Sequence, residues 1–318
     1  MRHVLTVKSA LICCAFSIFI VLCSNAAGAS SQMGRPIRVQ DPPEMLVPSV
    51  VDAAVQFTAT ATLAHPHPPH PSYIFAPDER TQVANTQLMP YRAIGLIEFT
   101  GTDGGPYSCT GFLYEHNTVA TAAHCMYTKE PQHGPDGFVR NVFVSFGRNG
   151  GTLPFGRCRA RQLTVPTRWI DDRDWEFDWA IVKIELGEAC RLGLQPSLLT
   201  LSGIQPIDYG KPVVAQMSGY SADKPFGTQW FRQGSMTVYQ GTRRISHALD
   251  VVGGDSGAPV YRSLTGCAFC VYALQSSQSD SLGQVNYATH LTDDVLRVYQ
   301  DYGARIDDFA QFLPLSRK

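Results

Sequence analysis

From residue 73 to about residue 291 the chain alternates short apolar runs with turn-forming clusters. The runs are Ala93–Phe99 (AIGLIEF), Asn141–Gly147 (NVFVSFG), Trp179–Glu185 (WAIVKIE), Pro212–Tyr220 (PVVAQMSGY), Ala258–Ser263 (APVYRS) and Cys270–Ser277 (CVYALQSS). Several alternate apolar and polar positions, and β-branched and aromatic residues are frequent in them, which favours strands with one buried face. No helical period runs through this region. The 27 glycines and 21 prolines supply the turns that many short strands need. The pattern predicts an all-β sandwich or barrel.

Both ends differ from this middle. In LTDDVLRVYQDYGARIDDFAQFL, Val295, Val298, Tyr302, Ile306 and Phe309 recur at three- and four-residue steps. Thr292 is placed to cap a helix there, and Asp293 and Asp294 suit its positive end. A C-terminal helix docked on a barrel is expected, with Gly303 a candidate interruption. At the other end, Arg2 and Lys8 precede an apolar run from Ala10 to Cys23, and Ala27–Gly28–Ala29 offers a small-residue cleavage site. A bilayer span needs about 20 apolar residues, so residues 1–29 read as a secretory signal and the exported product as secreted or periplasmic. Residues 30–72 contain the Pro- and His-rich AHPHPPHPS, which suits neither a helix nor a central strand. His65, His67 and His70 could bind a metal, yet a solvated spacer or pro-region fits them better. The folded domain is then residues 73–318.

Composition narrows the partners. With 26 basic and 27 acidic residues the chain has no basic excess to favour nucleic acid. After signal removal nothing calls for a membrane, and a monomer acting on proteins or peptides is expected. Six cysteines lie beyond the signal: Cys109, Cys125, Cys158, Cys190, Cys267 and Cys270. An even count in an exported chain favours disulfides. Zinc competes through Cys267-x-x-Cys270, but no second close Cys/His pair follows it. Cys109 and Cys125 could staple one hairpin, and Cys158 with Cys190 and Cys267 with Cys270 follow by elimination.

Three stretches carry chemistry. In CTGFLYEHNTVATAAHC (Cys109–Cys125), two strand-like pieces flank a turn at Glu115–Asn117, and small residues lead to His124. The plain alternative is a core histidine beside a structural disulfide. In EFDWAIVKIE, Asp178 stands directly before an apolar run, where a strand can bury it and an imidazole N–H can satisfy it. Asp171, Asp172 and Asp174 lie in a more polar stretch and are poorer candidates. In GGDSGAP (Gly253–Pro259), Ser256 sits among glycines, either in an ordinary turn or as a nucleophile. Serine reacts only when a base takes its proton, and histidine is the base suited to neutral pH.

The order His124, Asp178, Ser256 is that of one known triad arrangement. TAAHC, DWAIVK and GGDSGAP, with CTGFL before the histidine, resemble the trypsin-like serine peptidases of the chymotrypsin fold. PDERTQV (Pro77–Val83) is similar to the mature starts of bacterial glutamyl endopeptidases. The resemblance covers roughly residues 73–310 and implies two six-stranded antiparallel β-barrels with a C-terminal helix. It implies Ser256 as nucleophile, His124 as base, Asp178 as orienting acid, and the N–H groups of Gly254 and Ser256 as the oxyanion hole, with no cofactor. Asp255 is implied to be internal; related enzymes pair that acid with a freed N-terminus, and their usual Ile-Val-Gly-Gly start is absent here.

Specificity has two readings, with basic residues the preferred one. Asp250, six residues before Ser256, matches the acid with which trypsin selects basic side chains. A glutamyl preference instead asks for a histidine where Gln275 stands and a Thr or Ser where Val251 stands. Ser276 would line the pocket and approach Asp178. The rival function is a non-catalytic binding protein on the same fold, which the presence of all three triad candidates disfavours.

Overall fold

The computed structural model describes residues 45–46, 73–129, 135–193, 198–203, 208–278 and 285–304. The expected signal, the His-rich stretch and the positions Ile306 and Phe309 lie outside them.

Six strands form the first barrel: β1 Ile94–Thr100, β2 Pro106–Glu115, β3 Thr118–Thr121, β4 Arg140–Phe146, β5 Cys158–Pro166 and β6 Ala180–Ile184. They pair in the order β1-β2-β3-β6-β5-β4, and β4 returns to β1, so the sheet closes. The second half holds β7 Pro212–Gly219, β8 Trp230–Thr237, β9 Arg244–His247, β10 Pro259–Leu264, β11 Cys267–Gln278 and β12 Asn286–His290. Their order is β7-β8-β9-β12-β11-β10, closed by β10 on β7. All these pairings are antiparallel and both halves share one connectivity. Closure removes the unpaired edges that an open sheet would leave exposed. The chain is therefore a double six-stranded barrel, as the motifs implied.

Each barrel is filled from its own strands. Ile94, Leu96, Phe112, Leu113, Val119, Val144, Phe146 and Val182 are buried in the first, and Ala215, Met217, Met236, Ile245, Val260, Tyr272 and Ala288 in the second. Three disulfides join Cys109–Cys125, Cys158–Cys190 and Cys267–Cys270. All six cysteines beyond residue 29 are thus oxidised, and zinc has no free thiolate at Cys267 or Cys270.

Three helices complete the fold: α1 Ala123–Met126, α2 Thr167–Asp172 and α3 Asp293–Ala304. α3 includes Gly303, and the described residues end with it at Ala304. Thr292 precedes it, but its hydroxyl donates to Asp294 Oδ1 at 2.5 Å and so serves the acid of the first turn. Tyr299 is fully buried, and its hydroxyl donates to Ala180 O at 3.1 Å while its ring packs on Trp179 and Tyr114. The helix thereby braces the start of β6, two residues beyond Asp178.

Candidate active site

His124 lies on α1, a single turn entered from β3 through Ala122 and Ala123, both buried. The small side chains let this turn sit tightly against the barrel. The Cys109–Cys125 disulfide ties it to β2, with Cα atoms 6.3 Å apart. The imidazole is largely buried beside the paired rings of Trp169 and Trp175, with ring centroids at 6.3 and 6.0 Å.

Asp178 follows a short 3-10 turn, Trp175–Phe177, capped by the Asp174 carboxylate, which accepts from Glu176 N at 3.0 Å. Asp174 is thus committed to local structure, and Asp171 and Asp172 are exposed. Asp178 itself is completely buried. Its Oδ1 accepts from His124 N at 2.9 Å and its Oδ2 faces His124 Nδ1 at 2.8 Å. Ser276 Oγ also donates to Oδ2, as expected for that serine. Burial alone would raise this carboxyl, but the His124 imidazole and the hydrogen bonds from His124 and Ser276 outweigh it and hold the pKa below the ordinary value. An ionised carboxylate only accepts, so Nδ1 carries a proton toward it, and in the neutral imidazole Nε2 then keeps its lone pair.

Ser256 sits half-buried in the turn between Asp250 and β10. That turn is held from both barrels. Thr110, on β2, donates its N–H to Ser256 O and its hydroxyl to Gly254 O, each at 2.8 Å, and its Oγ1 accepts from Tyr220 N at 3.0 Å. Gly257 N donates to Gln275 O at 2.7 Å, beside Ser276. Ser256 O lies 4.0 Å from Cys125 Sγ, the residue after His124. Among the described residues, His124 and Ser256 are joined by these shared neighbours and not by a direct hydrogen bond. Gly254 has φ +89°, and a Cβ there would collide with Tyr220 O. Only glycine meets both conditions without strain.

Asp255 is completely buried and forms an ion pair with Arg232 NH2 at 2.7 Å, Arg232 being 1% exposed. Its oxygens also accept from Ser221 Oγ at 2.9 and 3.0 Å and from Val252 N at 3.1 Å. The cation beside this acid therefore comes from within β8. Asp250 is buried too, and accepts from Phe75 N at 2.8 Å and Glu79 N at 3.0 Å. Gln275 is buried, its Oε1 lying 2.8 Å from His247 Nε2. Burial of His247, reinforced by nearby Arg232 against the opposing Gln275 bond, lowers its pKa to about 3, so it is neutral.

Sequence reasoning missed Thr110, Ser221, Arg232 and His247. Thr110 lies inside the CTGFL motif, but its contacts reach another barrel, more than 140 positions away. Arg232 and His247 lie on strands whose polar residues hide the apolar alternation.

The family model for the trypsin-like peptidase domain matches residues 109–268. This chain belongs to the trypsin-like peptidases. Membership makes it a serine-type endopeptidase, a hydrolase acting on proteins or peptides. It is 30% identical over 226 residues to a glutamyl endopeptidase of Bacillus licheniformis, covering 70% of this chain and 66% of the relative. It is 29% identical over 232 residues to a Bacillus subtilis protein named an extracellular metalloprotease, covering 72% and 69%. The chain thus spans about two thirds of the length of these relatives. Among solved structures, a Glu endopeptidase in complex with MPD superposes with TM-score 0.61 at 23% identity, over 73% of this chain and all of that one. The Arthrobacter nicotinovorans protease Anisep gives 0.56 at 20%, over 71% and 99%. Both confirm the double-barrel fold. Among the described residues, the one cluster with candidate metal ligands is Cys109, His124 and Cys125. Its two sulfurs are bonded to each other, so this set does not fit a metal ion.

Proposed function

We propose that this peptidase is exported as a precursor, with residues 1–29 as signal and 30–72 as pro-region, and hydrolyses peptide bonds through a covalent acyl-enzyme on Ser256. His124 Nε2 takes the Ser256 proton as the hydroxyl attacks the substrate carbonyl, then delivers it to the leaving amine. Asp178 fixes the tautomer and stabilises the imidazolium that forms. The N–H groups of Gly254 and Ser256 stabilise the oxyanion, each such donor being worth about 3–4 kcal/mol in the transition state. Water then repeats the sequence and releases the acid product.

The observation that carries this reading is the bonding of Asp178. A fully buried carboxylate costs several kcal/mol unless it is compensated, and here its partners are His124 and Ser276. Export accords with three disulfides in one chain, and no described helix is long and apolar enough to cross a membrane.

The test is cleavage of a diverse peptide library by the full-length chain and by Ser256→Ala. Cuts that disappear in the variant support the reading; cuts that persist, or none from either form after the 30–72 segment is trimmed, overturn it.

A further inference from the structure

Asp250 is surrounded by the chain's own backbone. Its Oδ1 accepts from Phe75 N at 2.8 Å and its Oδ2 from Glu79 N at 3.0 Å, with the residue 4% exposed. The contact is reciprocal, because Tyr73 O accepts from Val251 N at 3.3 Å and from Asn286 Nδ2 at 3.2 Å. Asn286 Nδ2 also donates to Leu249 O at 2.7 Å. Farther along, Arg80 anchors the same segment through Asp78, within it, and Asp223, each at 2.9 Å or closer. Gln82 then pairs with Trp230 at the start of β8. Residues 73–82 therefore form a strap, bonded at one end to the residues just before Gly253 and at the other to the loop that follows β7.

We propose that Asp250 is a positioning residue, whose carboxylate clamps the 73–82 strap to the approach of the Ser256 turn, and that it does not select basic substrate side chains. This rests on the peptidase reading above. An acid that selects lysine or arginine must present its oxygens to the substrate. Here one oxygen is aimed at each of two strap N–H groups, and losing the carboxylate would take that partner from both. The groups nearby on β11 and β12 are Gln275, held to a neutral His247, and Asn286, and neither carries the charge that a cationic side chain needs. Substrates without a positive charge on the residue before the cut are the class this arrangement favours.

The experiment uses the full-length chain and Asp250→Asn, with the peptide library and hydrogen exchange read together. Asparagine has nearly the same shape but offers only one acceptor oxygen. The wild type is expected not to concentrate its cuts after Lys or Arg. Asp250→Asn should lower kcat/KM by a similar factor, about tenfold, for every substrate cut, and exchange at the Phe75 or Glu79 amide should rise at least about tenfold. Wild-type cuts confined to Lys and Arg sites, lost selectively in the variant with both amides still protected, would overturn the proposal. If Ser256→Ala cuts as well as the wild type, the peptidase reading fails instead. The exchange data then decide the clamp alone, faster exchange upholding it and unchanged exchange refuting it.

Discussion

Arg232 and Asp255 stand 2.7 Å apart with both side chains sealed from water, one residue before the serine that GGDSGAP contains. Breaking such a pair on one side leaves a buried charge without its partner, which costs about 3–5 kcal/mol. Arg232→Met should therefore lower the urea midpoint sharply and remove most activity, because Asp255 shapes the turn. Arg232→Met with Asp255→Asn should recover stability relative to the single variant. Since the cation comes from β8, an inert extension at the chain start should leave the turn intact. A double-mutant cycle in urea, with activity assayed alongside, checks this.

Gly254 predicts a different kind of loss. Its φ of +89° and the closeness of Tyr220 O exclude a side chain, so Gly254→Ala must turn the peptide that would hold the oxyanion. The expected outcome is a fall in kcat of about 10²–10³, with KM little changed. Steady-state kinetics on one good substrate resolves the two parameters.

His247 predicts a pH dependence. Its pKa falls from the ordinary 6.5 to about 3 in the fold, first through burial. The unfolded chain then binds a proton that the native state refuses, so stability declines as pH drops from about 6.5 toward 3. Above the upper limit this group contributes no slope. His247→Gln should flatten that decline, read as the urea midpoint across the window; an identical slope in both proteins would refute the assignment.

The Cys109–Cys125 disulfide closes a loop of 16 positions around β3 and holds the His124 turn. In the chain-entropy model such a loop contributes about 3 kcal/mol. Replacing both cysteines with alanine should cost stability on that order, and should lower kcat further by freeing the imidazole. Thermal unfolding and kinetics of the double variant measure the two effects separately.

Much of the fold was legible because many of its strands are short runs rich in apolar, β-branched and aromatic residues, set off by turn-forming clusters. AIGLIEF and NVFVSFG fall within a residue of β1 and β4, and PVVAQMSGY and APVYRS match β7 and β10 as closely. Four strands were not legible. CRARQLTVP, WFRQGSMT, RISH and NYATH carry polar residues at buried or half-buried positions, among them Gln162, Arg232, His247 and Asn286, and the main partners of the last three lie far away in sequence. Arg232 reads as a surface residue until Asp255 is placed beside it. The candidate site was more legible than the fold around it, since DWAIVK and GGDSGAP each place one reactive group at a strand end. Asp250 shows the limit: its spacing to Ser256 points to a pocket acid, while its hydrogen bonds go to a strap about 170 positions away in sequence.

The central claim is that Ser256 becomes acylated with His124 as its base. The most direct measurement is intact and peptide mass spectrometry after brief exposure to a serine-reactive phosphonate or a slow ester. The account predicts one adduct, on Ser256, formed at least about a hundredfold more slowly in His124→Ala. Continued peptide hydrolysis with no adduct, or with the adduct on another residue, would contradict it.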